Sequence, residues 1–505
     1  MPYLWNRSSP AGPYTPYDSS TLKARVGQPT GSSRMCLSCH DGTIALGAVA
    51  SPAAEIPFKG GVRFIQEERS SHLGTDLSDD HPISFVYDTA LSVENRELRD
   101  PALLPPAVRL ENDNMLQCIS CHDPHDDTYG RFLVMDNTAS ALCTACHDIS
   151  GWHRSSHSQS SALLNRTRGH WPNTDYATIA ENGCQNCHKP HTAGTKNRLL
   201  ISAFEEDNCL VCHDGGTASS DIASVITKRY NHPVYEYAGV HDPTEDFSSR
   251  SVPKHVECSD CHDAHQANSD PAMSNSMASG ATKGASGISA GGQMVAEARY
   301  VYEICFKCHA DNNVINALPV TRQIVQLNTR LEFDPANPSF HPVAGPGKNP
   351  DVPSLMPPYT STSTISCTDC HGNSDASAAR GPHGSDWQYL LTKRYVTDDY
   401  TTETPSSYAL CYQCHSRSTL LNDESFPHSL HVVGQKAPCS ACHDPHGVSF
   451  TQGNFLRNSH LINFDVSIVL PTNTGRLEFN DQGRFRGECF LNCHGRAHNP
   501  QNYPQ

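Results

Sequence analysis

The 505-residue chain has no run of 18 or more apolar residues, so it offers no helix long enough to cross a bilayer. Its first stretch, "MPYLWNRSSPAGPYTPYDSS", lacks the apolar core of an export signal. Hydrophobic residues make up only 37 % of the chain, while glycine and proline number 33 and 35; this is poor material for an ordinary apolar core. Positive charge is also scarce. The formal net charge of −16 argues against nucleic acid as a partner and favours a soluble surface facing cationic or mineral partners.

Cysteine and histidine, by contrast, are abundant: 22 and 29. The stretch "CQNCHKPHTAGTKNRLLISAFEEDNCLVCH", from Cys184 to His213, contains two Cys-x-x-Cys-His units 25 residues apart. Such a unit is the attachment signature of c-type haem: the two thiols form thioethers and the histidine becomes the proximal iron ligand. A single copy could equally hold zinc or act as a dithiol redox motif. Counting decides between these readings. Ten units are Cys36/Cys39/His40, Cys118/Cys121/His122, Cys143/Cys146/His147, Cys184/Cys187/His188, Cys209/Cys212/His213, Cys258/Cys261/His262, Cys305/Cys308/His309, Cys367/Cys370/His371, Cys411/Cys414/His415 and Cys439/Cys442/His443. An eleventh, Cys489/Cys493/His494, has three spacer residues instead of two. Eleven units use all 22 cysteines, leaving none for a disulfide, a separate zinc site or a lipid anchor. Every second cysteine is followed directly by histidine, which a zinc array would not require. Eleven covalent haems are therefore expected. Dividing 505 residues among eleven leaves about 46 for each, so the porphyrins should supply the core. The expected fold is mostly irregular coil, with short helices at the units and a few short hairpins, wrapped round a stacked haem chain. One hairpin is expected in "RLEFNDQGRFRG", with its turn near Asn480–Gly483.

The units come in pairs: Cys118 with Cys143, Cys184 with Cys209, Cys258 with Cys305, Cys367 with Cys411, and Cys439 with Cys489. First members tend to read Cys-x-x-Cys-His-x-x-His; second members lack the third histidine. "CLSCHDGTIALG" at Cys36 matches the second member "CLVCHDGGTASS" at Cys209, so its first member, a twelfth unit, is expected upstream of Met1. The chain is accordingly read as a mature or N-terminally incomplete form of an exported protein, because haem is attached to c-type cytochromes outside the cytoplasmic membrane. The pairs suggest four segments: 1–110 with one haem, 111–245 with two pairs, 246–350 with the Cys258/Cys305 pair, and 351–505 with two pairs. The Ser/Ala/Gly-rich stretch 266–297 inside the third segment is read as a flexible surface loop, with a subunit contact as the alternative.

Setting aside the eleven unit histidines leaves 18 of the 29 as candidate distal ligands. His191 follows His188 by three residues on one face of a turn. It therefore starts beneath the porphyrin of its own unit, and should ligate a neighbouring iron instead, tying two haems together. His125, His265 and His446 repeat this placement. His81, His232 and His341 share a His-Pro step that holds the histidine extended. His255 lies three residues before Cys258, and His383 stands in for the third histidine that the Cys367 unit lacks; His157, His431 and His460 complete the set. His153, His170, His241 and His428 are placed behind these, and His72 and His498 stay open. Met273, Met277 and Met294 are set aside as loop residues.

"CLSCHDGTIALGA", "DDHPISF", "CISCHDPHD", "CQNCHKPH", "HVECSDCHDAH", "GPHGS", "CSACHDPHG" and "HLINFD" together resemble the doubled Cys-x-x-Cys-His multihaem cytochromes of metal-reducing bacteria, over nearly the whole chain. In such proteins a segment like "PYLWNRS" follows a Cys-x-x-Cys-His-x-x-His unit. The resemblance implies export and electron transfer to extracellular acceptors such as iron oxides or electrodes, with other cytochromes or copies of the chain itself as partners; some related cytochromes polymerise into filaments. The departures are the spacer at Cys489 and the missing first unit. The expected function is electron conduction through bis-histidine haems without a dedicated catalytic site. The alternatives are a multihaem oxyanion reductase and a periplasmic or porin-associated carrier. A reductase needs an open iron with acid–base groups around it, and no Cys-x-x-Cys-Lys variant occurs here.

Overall fold

A computed structural model describes residues 6–10, 12–50, 55–165, 174–236, 241–243, 245, 255–311 and 318–503. His170 and most of the "PYLWNRS" segment lie outside them. The chain divides into two compact units: 1–219 with 237–244 and 264–268, and 220–236 with 245–263 and 269–505. His265 thus belongs to the first unit although His262 belongs to the second. This division groups the haem motifs more coarsely than the four segments read from the sequence.

Regular structure is sparse, as the glycine and proline content dictates. The longest helix among the described residues is α1 (Gly31–His40), followed by α2 (Val301–His309). Each carries a Cys-x-x-Cys-His unit at its C-terminal end. The other eight two-spacer units also sit on single turns of α- or 3₁₀-helix, such as Cys118–Ser120, Cys258–Cys261 and Cys367–Cys370. A helical turn is what this spacing needs, because residues three apart project from one face. No helix is long and apolar enough to cross a membrane among the described residues.

Most strands are two residues long. The longer ones lie in an antiparallel sheet of β1 (Val469–Leu470), β2 (Glu478–Asp481), β3 (Gly487–Cys493) and β4 (Arg496–Tyr503). The expected hairpin is there: β2 pairs β3 with Phe479 opposite Cys489. β3 also pairs β4, with Leu491 opposite His498 and Cys493 opposite Arg496. The unit at Cys489 is therefore extended, unlike the ten helical ones.

Apolar clusters are small. One in the second unit gathers Ile288, Tyr302, Phe306, Phe333 and Val343; another gathers Ala441, Phe464, Val469, Phe479 and Leu491. In the first unit Phe85, Tyr87, Leu91 and Leu116 pack together. The 266–297 stretch is not a loose loop. It forms a hairpin of Gly287–Ile288 with Met294–Val295, and buries Ala285 and Ile288. Its small residues serve close packing: a side chain at Gly287 would run into the Glu303 backbone of α2.

Candidate haem-binding sites

One local device recurs after the first-member units. In "GRFLV", "NRLLI", "QYLLT" and "SHLIN" two consecutive residues adopt the left-handed region: Arg131/Phe132, Arg198/Leu199, Tyr389/Leu390 and His460/Leu461. Such backbone costs about 1–2 kcal/mol per non-glycine residue. Its effect is to aim a carbonyl at the imidazole of the unit. His122, His188, His371 and His443 donate their Nδ1 protons to the carbonyls of Arg131, Arg198, Tyr389 and His460, at 2.8–3.0 Å. The next residue then bridges back to the unit histidine, as Leu133 does with His122 and Leu200 with His188. His40 and His262 donate likewise to Ser71 and Ala281, and His415 Nδ1 pairs with Ser354 Oγ. With Nδ1 engaged, Nε2 is left to bind a metal, and the hydrogen bond fixes tautomer and ring orientation. Burial does the rest. It pulls the pKa of His147, His188, His309, His371, His415 and His443 down to about 4, holding them neutral with a lone pair available.

A second ring faces nine of these unit histidines. The pairs are His147 with His81, His122 with His191, His213 with His157, His188 with His265, His309 with His232, His262 with His383, His415 with His341, His371 with His446 and His443 with His428. A tenth pair joins His431 and His498. All ten centroid distances fall between 6.0 and 6.5 Å, while the angle between rings ranges from 13° to 86°. Direct ring contact would favour particular angles and shorter, varied distances. A metal–imidazole bond of about 2 Å plus a ring radius of about 1.2 Å, counted on both sides, gives about 6.4 Å. The residues present therefore fit an iron between each pair of rings.

The pairing follows two rules. A first-member histidine is faced by the third histidine of the next pair: His122 by His191, His188 by His265, His262 by His383, His371 by His446. A second-member histidine is faced by one lying just upstream of its own pair: His147 by His81, His213 by His157, His309 by His232, His415 by His341. The third histidines at His191 and His446 each donate Nδ1 to a buried carboxylate, Asp80 and Glu332, both at 3.0 Å. Cysteines follow a parallel order. Within pairs the second cysteine of the second unit lies close enough to raise the pKa of that of the first, as Cys146 does for Cys121 and Cys212 for Cys187, after the larger effect of burial. Between consecutive pairs the first cysteines touch: Cys36 with Cys118, Cys143 with Cys184, Cys305 with Cys367, and Cys411 with Cys439.

Cys39 is expected to hold a haem together with Cys36. It lies half-buried near the end of α1, where it adds to the raised pKa of Cys36 after the larger effects of Cys118 and burial. Among the described residues no second ring stands opposite His40.

Four expected distal ligands stand elsewhere. His125 projects into solvent, its side chain 83 % exposed, 3.5 Å from Asp123. His255 is buried with its Nε2 3.3 Å from Glu245. His460 packs against Phe479 and reaches Asp481; its backbone carbonyl, held in the left-handed turn, is what serves His443. His431 faces His498 rather than a unit histidine. Conversely, His428 and His498, which carry no His-Pro or Cys-His-x-x-His signal, stand in facing pairs. His494, like His40, has no second ring of histidine opposite it among the described residues.

The family model for the doubled CXXCH motif matches residues 112–150, 177–218 and 358–419. These motifs indicate a multihaem c-type cytochrome. The three matches coincide with the pairs beginning at Cys118, Cys184 and Cys367; the other two-spacer units also lie on helical turns outside them. No curated protein matches the chain.

Proposed function

We propose that the chain is an undecahaem cytochrome that conducts electrons along closely packed bis-histidine haems. The observation that carries this reading is the set of ten facing imidazole pairs at a common spacing. When bound, each haem supplies reversible one-electron iron chemistry. The chain's own residues do the rest: unit and facing histidines would each offer Nε2 to an iron between them, Nδ1 hydrogen bonds fix the rings, and the alternating cysteine contacts hold consecutive units together within each compact unit. An iron held by two such histidines would carry electrons and leave no place for a substrate. The proposed acceptors are extracellular metal oxides or electrodes, and the proposed partners are other cytochromes or copies of the chain in a filament; these rest on the sequence resemblance.

The test is the spin state of the ferric protein. Low-spin signals from the haems of all nine paired units, with no cyanide or nitrite binding to them, are expected. A high-spin signal from any of those nine would favour an oxyanion reductase. The Cys36/Cys39 unit, where His40 has no second ring among the described residues, is the first place to look for an open position.

A further inference from the structure

We infer that the haem on Cys489 and Cys493 takes its axial bonds from His431 and His498, and that His494, the histidine of the attachment motif, is not a ligand. This rests on the bis-histidine reading above and departs from it at one unit.

The argument begins with the extra spacer residue. Side chains along a strand alternate between faces with period two. Two cysteines three apart would fall on opposite faces of β3; four apart, they fall on the same face. The third spacer residue is therefore what a strand requires to present both sulfurs together, as two spacers are what a helical turn requires. Parity also decides the histidine. His494 is five residues beyond Cys489, so even a continued strand would turn it to the other face. The strand in fact ends there. His494 and Gly495 are the two central residues of the β3–β4 turn, both with positive φ (50° and 75°), the conformation of a tight hairpin turn.

His494 is also occupied. Its Nε2 donates to Asp399, 2.9 and 3.0 Å from the two carboxylate oxygens, and its ring stacks on Tyr400 with centroids 4.6 Å apart. In the units of His40, His122, His188, His262, His371, His415 and His443 it is Nδ1 that is hydrogen-bonded; here it is the metal-binding Nε2.

His498 has the opposite properties. It sits directly across from Leu491 on β4, and directly opposed residues of antiparallel strands share a face. His498 thus lies on the same face as Cys489, Leu491 and Cys493, between the two cysteines. Its ring centroid is 6.4 Å from that of His431, within the spacing of the other nine pairs. His431 donates Nδ1 to the Pro427 carbonyl at 2.8 Å, while Nδ1 of His498 is buried without a hydrogen-bond partner. His431 also obeys the second-member rule, since it lies just upstream of the Cys439/Cys489 pair. The site is therefore built as the others are, with His498 in the position elsewhere taken by the motif histidine.

The test uses the full chain, with haem count by intact mass and spin state by electron paramagnetic resonance. The wild type should carry a haem at this unit, low-spin; its absence would overturn the inference and leave the conduit reading standing on the remaining haems. His498→Ala should convert one haem per chain to a high-spin form that binds added imidazole. His498→Met should keep that haem low-spin, with the absorption of methionine-ligated ferric haem and a raised potential for one haem only. Both signatures report ligation rather than folding. If His498→Met leaves every spectrum and potential at wild-type values, His498 is not a ligand and the inference falls.

Discussion

Replacing His191 by alanine isolates one cross-link between units. The His191 ring lies 6.2 Å from that of His122, so the variant should open one axial position on the Cys118 haem and on no other. One iron in eleven should turn high-spin and bind one equivalent of cyanide; added imidazole should restore the low-spin form. There is a stability cost as well. The Asp80 side chain, 5 % exposed, loses the His191 hydrogen bond; it keeps only the Thr192 amide at 3.2 Å, and its Oδ2 is buried without a partner. An acceptor stripped in this way costs about 1.5–3 kcal/mol, which should show as a lower denaturant midpoint. The identity of the affected haem is checked with His265→Ala, which exposes the iron of the Cys184 unit. The double variant should show two high-spin haems. If it shows one, His191 serves the haem of its own unit and the reach argument is wrong; if the single variant stays fully low-spin, His191 is no ligand at all.

Glu403 is almost fully buried, and its pKa is lowered chiefly by the Arg417 guanidinium, which with the Tyr412 hydroxyl at 3.0 Å hydrogen-bonds its carboxylate. A carboxyl held low in the folded state contributes stability that is complete above its unfolded value, near 4.3, and is lost as pH falls through the folded one. Glu403→Gln should therefore destabilise the protein by about 1–3 kcal/mol at pH 7, with the difference from wild type vanishing in acid melts. Gly447→Ala should cost about 2–4 kcal/mol, because at φ 133° an added methyl would meet the carbonyl oxygens of Glu332 and Ser339 at 2.7 Å. Gly447 adjoins His446 and pairs with Phe340 beside His341, so the same variant should broaden the signals of the Cys367 and Cys411 haems. Unchanged melting and spectra would refute that placement.

How much of this was legible in the sequence depended on whether the signal was local. The ten two-spacer units announce themselves by spacing, since a helical turn has one geometry. His191 and His446 face the unit histidines of other pairs, His122 and His371, as the limited reach of a three-residue step on a turn leads one to expect. For His125 the same rule brings no facing ring, because it says which iron the residue cannot reach, not that another is present; the side chain projects into solvent. His428 stands close to its partner just ahead of a π-helical turn, Ser429–Gly434, and His498 through a strand register; neither leaves a fixed motif. For His498 a signal existed in parity: Cys489, Cys493 and the histidine three residues beyond the turn fall on one face, provided that the segment is first recognised as a hairpin. The 266–297 stretch misled by composition. Small residues there allow backbone to approach α2 closely, and the buried Ala285 and Ile288 are too few to show as an apolar pattern.

The pairing rules bear on how such a chain can be built and cut. The first histidine of each pair waits for a residue supplied by the next: His122 for His191, His188 for His265, His371 for His446. A polypeptide emerging from its N-terminus would hold its most recent first-member site half-complete until the following pair arrived, and only the last, at His443, is finished by a histidine upstream of it, His428. Removing pairs from the C-terminus would always leave an unfinished site behind unless a substitute for His428 came with the cut, so the pairs, though repeated, are not interchangeable modules.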